Sequence, residues 1–172
     1  MFGENKLSFL YKDFELDLLF DFETIDSIQE IENIPLYTLI GMFFTDMRSA
    51  CEIVLFHMVN SKINMINETR TKKIKLVSTD MIKKIINENE TEILTEIMNT
   101  VTSCMPISEE ENKTESNSST DRLNVALWMR NALRLGLSED EFRKSSLKKI
   151  YMLINANNEE NKETNIDDII PF

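Results

Sequence analysis

Residues 132–154, Ala-Leu-Arg-Leu-Gly-Leu-Ser-Glu-Asp-Glu-Phe-Arg-Lys-Ser-Ser-Leu-Lys-Lys-Ile-Tyr-Met-Leu-Ile, allow few folds. Gly136 stands where a helix needs a left-handed stop. Ser138 and Glu141 then stand at capping-box spacing, the serine serving one end of the box and the glutamate the other. Ser145-Ser146 offers a second cap before Leu147, Ile150, Tyr151 and Ile154, which recur at helical spacing. The stretch reads as helix, stop, capped turn and helix, with Phe142 held between the two.

The helix before the stop is expected to begin at Thr120 or Asp121 and run through Leu135. Val125, Trp128, Ala132 and Leu135 make one face, which Met129 and Leu133 widen. Residues 107–120, Ile-Ser-Glu-Glu-Glu-Asn-Lys-Thr-Glu-Ser-Asn-Ser-Ser-Thr, hold one apolar residue and read as a flexible polar linker. A helical hairpin over 121–154 has too little core to stand alone. Either it docks on residues 1–106 or a partner completes it, and the tether favours the partner. The tail, 155–172, reads as mobile and acidic apart from its closing Ile-Ile-Pro-Phe.

Residues 1–106 read as one mainly helical domain with an N-terminal β-hairpin, an α+β arrangement. Leu7–Tyr11 and Phe14–Leu18 flank Lys12-Asp13, and the second run alternates apolar and acidic residues. Lys-Asp is not a preferred turn pair. A short helix is expected over Glu23–Ile31, broken by Asn33-Ile34-Pro35. Residues 36–45 are mostly apolar and are expected to be central to the core. Met47, Ala50, Cys51, Val54 and Met58 form one face of the next helix, with Ile53, Leu55 and Phe56 elsewhere on it, so burial on more than one side follows. Residues 60–77 are polar and basic and read as a loop or short extended segment. Ser78-Thr79-Asp80 caps a helix bearing Ile82, Ile85 and Ile86. After Asn87–Thr91, a stripe from Ile93 to Met105 ends at Pro106.

Only 3 Gly and 3 Pro in 172 residues support helices over turn-rich β structure. The net charge of −11 is opposite to that of a free nucleic-acid binder, so nucleic acid is not an expected partner. Residues 121–154 nevertheless carry 7 basic and 4 acidic side chains, a local excess of about +3. The first residues lack the basic region and apolar run of a signal peptide, and no stretch has the apolar length of a membrane span. A cytoplasmic location with no membrane partner is expected.

Chemistry-bearing patterns are sparse. His57 lies in an apolar helix and reads as a satisfied or rim histidine rather than a catalytic one. Cys51 and Cys104 read as small buried hydrophobes, with a disulfide as the sharper alternative. No Gly-rich phosphate loop, nucleophile elbow or metal-ligand spacing is present, so neither an enzyme nor a cofactor is expected. The 10 Met serve as core filler or as an adaptable binding surface. Trp128 either anchors its own hairpin or serves as an exposed anchor for a partner.

Gly136-Leu-Ser-Glu-Asp-Glu-Phe142 followed by Ser146-Leu-Lys-Lys-Ile-Tyr-Met-Leu-Ile154 resembles the closing motif of phage tail assembly chaperones, including the frameshift-extended type. Lys149 departs from the acidic residue common there. The N-terminal hairpin and Ile31-Glu-Asn-Ile-Pro-Leu36 are similar to that family's first domain, with less specific residues. The resemblance implies a non-enzymatic protein that keeps the tape measure protein soluble and recruits tail-tube subunits, and that is absent from mature virions. Residues 1–106 would bind the tape measure protein and the appended part the tube protein. The expected partner-binding residues are Trp128, Arg130, Arg134, Leu137, Phe142, Lys148 and Tyr151, and self-association is a further expectation. Competing readings are a small phage regulator (a DNA mimic, an anti-repressor or a helix-turn-helix over 121–154) and a structural tail or head-completion subunit.

Overall fold

The computed structural model describes residues 5–106 and 122–167, with residues 159–167 by backbone only. The linker at 107–120, the cap residues Thr120 and Asp121, and residues 168–172 lie outside the described residues. What is described is mostly helical, with a two-stranded antiparallel hairpin at the N-terminal end.

Strands β1 (Leu7–Tyr11) and β2 (Phe14–Leu18) pair in a register from Leu7 opposite Leu18 to Tyr11 opposite Phe14. Leu7, Phe9, Tyr11, Leu16 and Leu18 face the core, as the alternation requires. The unfavoured Lys12-Asp13 connection closes with Lys12 at φ 56°. That is a left-handed position usually given to Gly or Asn. The buried cross-strand pairs offset the strain.

Helix α1 (Phe22–Ser27) runs into a π turn, Ile28–Glu32, ended by Asn33 at φ 56°. The expected single helix over 23–31 is therefore two pieces. The wider turn rotates Gln29 inward, where it is almost fully buried. Helix α2 (Leu36–Thr45) follows Pro35. Helix α3 (Met47–Glu68) begins with Asp46 accepting from the Ser49 amide at 3.2 Å, an N-cap bond. Helix α3 is the central post. Ala50, Cys51, Val54, Leu55, Met58, Val59 and Ile63 are buried, and it packs on β2, α1, the π turn, α2, α4 (Thr79–Glu88) and α5 (Glu90–Cys104).

Two expectations fail along this stretch. Residues 60–68 are helical, not loop. Their polar side chains are turned inward to serve the following segment. Asn60 donates to the Val77 carbonyl at 3.2 Å and accepts from the Val77 amide at 2.9 Å. Asn67 does the same for Ile74, at 2.9 and 2.7 Å. Seven residues of helix rise about 10.5 Å, and three residues of extended chain cover about 10 Å, so two asparagines can pair both backbone sites. The second failure is at α2. Leu36, Leu39 and Phe43 are buried, but Phe44 is 83% exposed and Tyr37 61%.

The second part packs on the first. Helices α6 (Val125–Arg134), α7 (Glu139–Arg143) and α8 (Leu147–Asp167) replace the expected two-helix hairpin, with α7 filling the capped turn. Asn124 caps α6 by accepting from the Leu127 amide at 3.0 Å. A Schellman closure ends it. Gly136 stands at φ 88°, its amide is on the Leu133 carbonyl at 3.0 Å, and the Leu137 amide is on the Ala132 carbonyl at 3.1 Å. The capping box is complete, with Ser138 N to Glu141 Oε2 at 2.8 Å and Glu141 N to Ser138 Oγ at 3.2 Å. Two orphan amides are thereby satisfied reciprocally. Helix α8 continues past Ile154 because neither Gly nor Pro interrupts it before Asp167.

Docking rests on α1 and the π turn. The Phe22 ring centre lies 4.2 Å from that of the fully buried Phe142 and 6.0 Å from that of Trp128. The Phe22 amide donates to the Ser145 carbonyl at 3.1 Å, and Asp21 forms a β-bridge with Ser146. Gln29 Nε2 donates to the Leu123 carbonyl at 3.1 Å, while Gln29 Oε1 accepts from the Leu123 amide at 2.7 Å and the Leu36 amide at 3.2 Å. Arg122 adds contacts to Glu30, the Gln29 carbonyl and Asn33.

Gln29→Ala leaves the Leu123 and Leu36 amides without partners, while the Leu123 carbonyl keeps its bond from the Val125 amide at 3.0 Å, so a loss of about 2–3 kcal/mol is expected in urea unfolding. Glu30→Ala, which removes only an exposed ion pair, is expected to cost under about 0.5 kcal/mol. Equal small effects would show that Gln29 does not join the two parts.

Candidate functional site

Successive residues of α6 lie about 100° apart, so each side of the helix has its own character. Trp128, Ala132 and Leu135 face inward, with Ala132 fully buried and the other two half-buried. Val125, Met129 and Leu133 take the adjoining sector, where Leu133 is 47% exposed. The apolar face that Met129 and Leu133 widen therefore opens toward solvent at Leu133. Arg130 and Arg134 follow on the solvent side. Together with Asp26 of α1, these residues line an open cavity of about 550 Å³.

The seven expected partner-binding residues are thus distributed unequally. Arg130 and Arg134 line that cavity. Phe142 is fully buried against Phe22 and presents no surface while the second part is docked. Trp128 is half-buried in the same aromatic group. Leu137 is half-buried as part of the Schellman closure, and Lys148 and Tyr151 are half-buried on α8. The arrangement brings the two arginines together and uses Trp128 and Phe142 for packing.

A second apolar surface was not singled out by sequence. Tyr37, Ile40 and Phe44 share one face of α2, and Leu94, Met98 and Val101 share one face of α5, with Met105 just past its end. Between them is a cavity of about 220 Å³ lined by Ile40, Phe43, Phe44, Met98, Val101, Thr102 and Met105. Met98 also lines the neighbouring cavity of about 450 Å³, with Met47 and Leu94. The available signal was that apolar residues cover every side of α2, more than one core contact can bury.

His57 is 2% exposed and satisfied at both ring nitrogens. Nδ1 is 2.8 Å from Ser27 Oγ and Nε2 is 3.0 Å from Glu32 Oε1. Ser27 precedes the π turn and Glu32 ends it, so this imidazole braces the turn against α3. A hydroxyl, an imidazole and a carboxylate in line are also the parts of a nucleophilic relay. The relay needs the hydroxyl to open onto a cavity beside oxyanion donors. The cavities at α6 and along α2 and α5 are lined by other residues. Cys51 and Cys104 are both buried thiols, and burial pushes the Cys51 thiol up to about 12. Among the described residues, no cluster of three His, Cys, Asp or Glu could hold a metal, and no helix is long and apolar enough to cross a membrane.

Asp21 is the most perturbed carboxyl at the junction. It caps α1, accepting from the Thr24 amide at 2.9 Å and the Thr24 hydroxyl at 2.8 Å. Burial raises its pKa to about 6 despite those bonds. Comparison with protein families, with curated proteins and with solved structures returned no match for this chain.

A raised carboxyl binds its proton more tightly in the folded chain. Its contribution is therefore favourable at low pH and is lost as pH rises from about 4 to about 6. Asp21→Asn keeps the cap acceptor and removes the charge. In urea unfolding across this range, the variant is expected to gain about 1–3 kcal/mol relative to the natural chain by pH 7.5. A difference that does not change with pH would contradict the assignment.

Proposed function

We propose that this chain is a non-enzymatic chaperone of phage tail assembly, which keeps the tape measure protein soluble and recruits tail-tube subunits. The observation that carries the reading is the exposed apolar trough between α2 and α5, headed by Phe44 at 83% exposure. Exposed apolar surface of this kind marks interaction sites. Two facing rows at spacing three and four accept an amphipathic helix laid between them. Three methionines, Met47, Met98 and Met105, line the trough and its neighbouring cavity. Flexible thioethers adapt to a long and varied partner.

The closing motif around Gly136–Phe142 supports the same reading. Its Gly136 stop and Ser138–Glu141 box form a local structure that presents α6 and fixes Phe142. In this proposal the trough takes the apolar helical stripe of the tape measure protein, and the second part meets the tube protein. The chain acts in the host cytoplasm and leaves before the particle is complete, so mass spectrometry of purified virions should not find it. A structural tail subunit would be found there.

Co-expression with the tape measure protein is the direct test. The natural chain is expected to raise soluble tape measure protein and co-purify with it, and Phe44→Glu with Met98→Glu to abolish both. Phe44 is exposed and Met98 half-buried at the trough, so circular dichroism must confirm that the variant folds. No rise in solubility with the natural chain would refute the proposal.

A further inference from the structure

The groove beside α6 points to an occupant different from that of the α2–α5 trough. Its floor is apolar, formed by Val125, Met129 and Leu133, and Arg130 and Arg134 make one edge. Asp26 of α1 also lines it. Of the other arginines, Arg48, Arg122 and Arg143 are in ion pairs, and the Arg70 guanidinium lies 4.6 Å from the Phe14 ring centre. Arg130 and Arg134 have no ion pair among the described residues, in a chain with an acidic excess of 11 charges.

We infer that this groove docks an amphipathic helix of a partner protein, with an apolar stripe on Val125, Met129 and Leu133 and acidic side chains along the Arg130–Arg134 edge. The arginines are four apart and so lie on one line of the helix surface, where two carboxylates of a crossing helix can meet both. The apolar floor excludes water beneath them, which a phosphate backbone would not use. Asp26 and the net charge further disfavour a nucleic acid. Asp26, on a different helix from the arginines, adds a site for a basic side chain of the bound helix. Val125 and Met129 are already half-buried by the packing of α6, so the floor is fixed before a partner arrives.

This inference rests on the reading that the second part meets a partner, and it concerns other helices than the tape measure trough, so either can fail alone. The test uses the full chain and two designed helical peptides of about 18 residues with the same leucine stripe, one flanked by glutamates and one by lysines. Fluorescence anisotropy is expected to show the glutamate peptide binding about tenfold tighter. Arg130→Glu with Arg134→Glu, both exposed positions, should reverse that preference while leaving the thermal melt unchanged. Phe44→Glu should leave it intact. Equal affinities, tighter binding of the lysine peptide, no binding of either, or a preference unaffected by the double variant would overturn the inference. Salt-dependent capture of a DNA duplex through the two arginines in place of the peptide would also overturn it.

Discussion

The contact of Phe22 with Phe142 is the one on which the arrangement of this chain depends. The three helices after residue 121 are short or hold few buried residues of their own. Ala132, Phe142, Leu147 and Ile150 are a small core for independent folding. They become part of a larger core because Phe22 meets Phe142 face to tilted face at 4.2 Å. Asp21 and Phe22 align the backbone at Ser145 and Ser146, and Gln29 pairs both polar groups of Leu123. Aromatic burial supplies the attraction, while the backbone pairing fixes the register. The ion pair of Arg143 with Glu23 lies nearby at 2.7 Å. At its exposure it contributes at most about 1 kcal/mol.

Docking settles which surfaces remain open. Once Trp128 and Ala132 face Phe22, the next sectors of α6 follow from the helix repeat, with Val125, Met129 and Leu133 at the margin and Arg130 and Arg134 beyond. The α2–α5 trough has another origin. Helix α2 buries Leu36, Leu39 and Phe43, yet its sequence continues apolar around the far side. One groove has a charged edge and the other is lined by Met and aromatic side chains. Two such grooves fit a protein that holds two partners of different surface chemistry.

Local signals were legible from sequence where the chemistry is local. The alternation Phe14-Glu-Leu-Asp-Leu18 identified a strand, Gly136 identified a stop, and Ser138 with Glu141 identified a cap. Each needs only neighbours within a few residues. The longer-range features were not legible. Asn60 and Asn67 looked like loop residues, because nothing near them shows that Val77 and Ile74 will need their amides. The burial of Gln29 was not legible, because the π turn that rotates it inward is braced by His57 from another helix. The exposed face of α2 was read as core, since apolar character alone does not say how many neighbours a helix has. Trp128 and Phe142, singled out for a partner, are engaged within the chain, and the arginines singled out with them line a groove.

Residues 122–154 and the N-terminal helices share one core joined at Phe22, and are expected to unfold as one unit. Trp128 is the chain's single tryptophan and lies at that junction, so its fluorescence reports the joint directly. The measurement is urea unfolding followed in one sample by Trp128 fluorescence and by far-ultraviolet circular dichroism. Coincident transitions are expected, as for a two-state unit. A fluorescence transition completed at lower urea than the loss of helix would contradict the joint, and would show a second part held only by its tether.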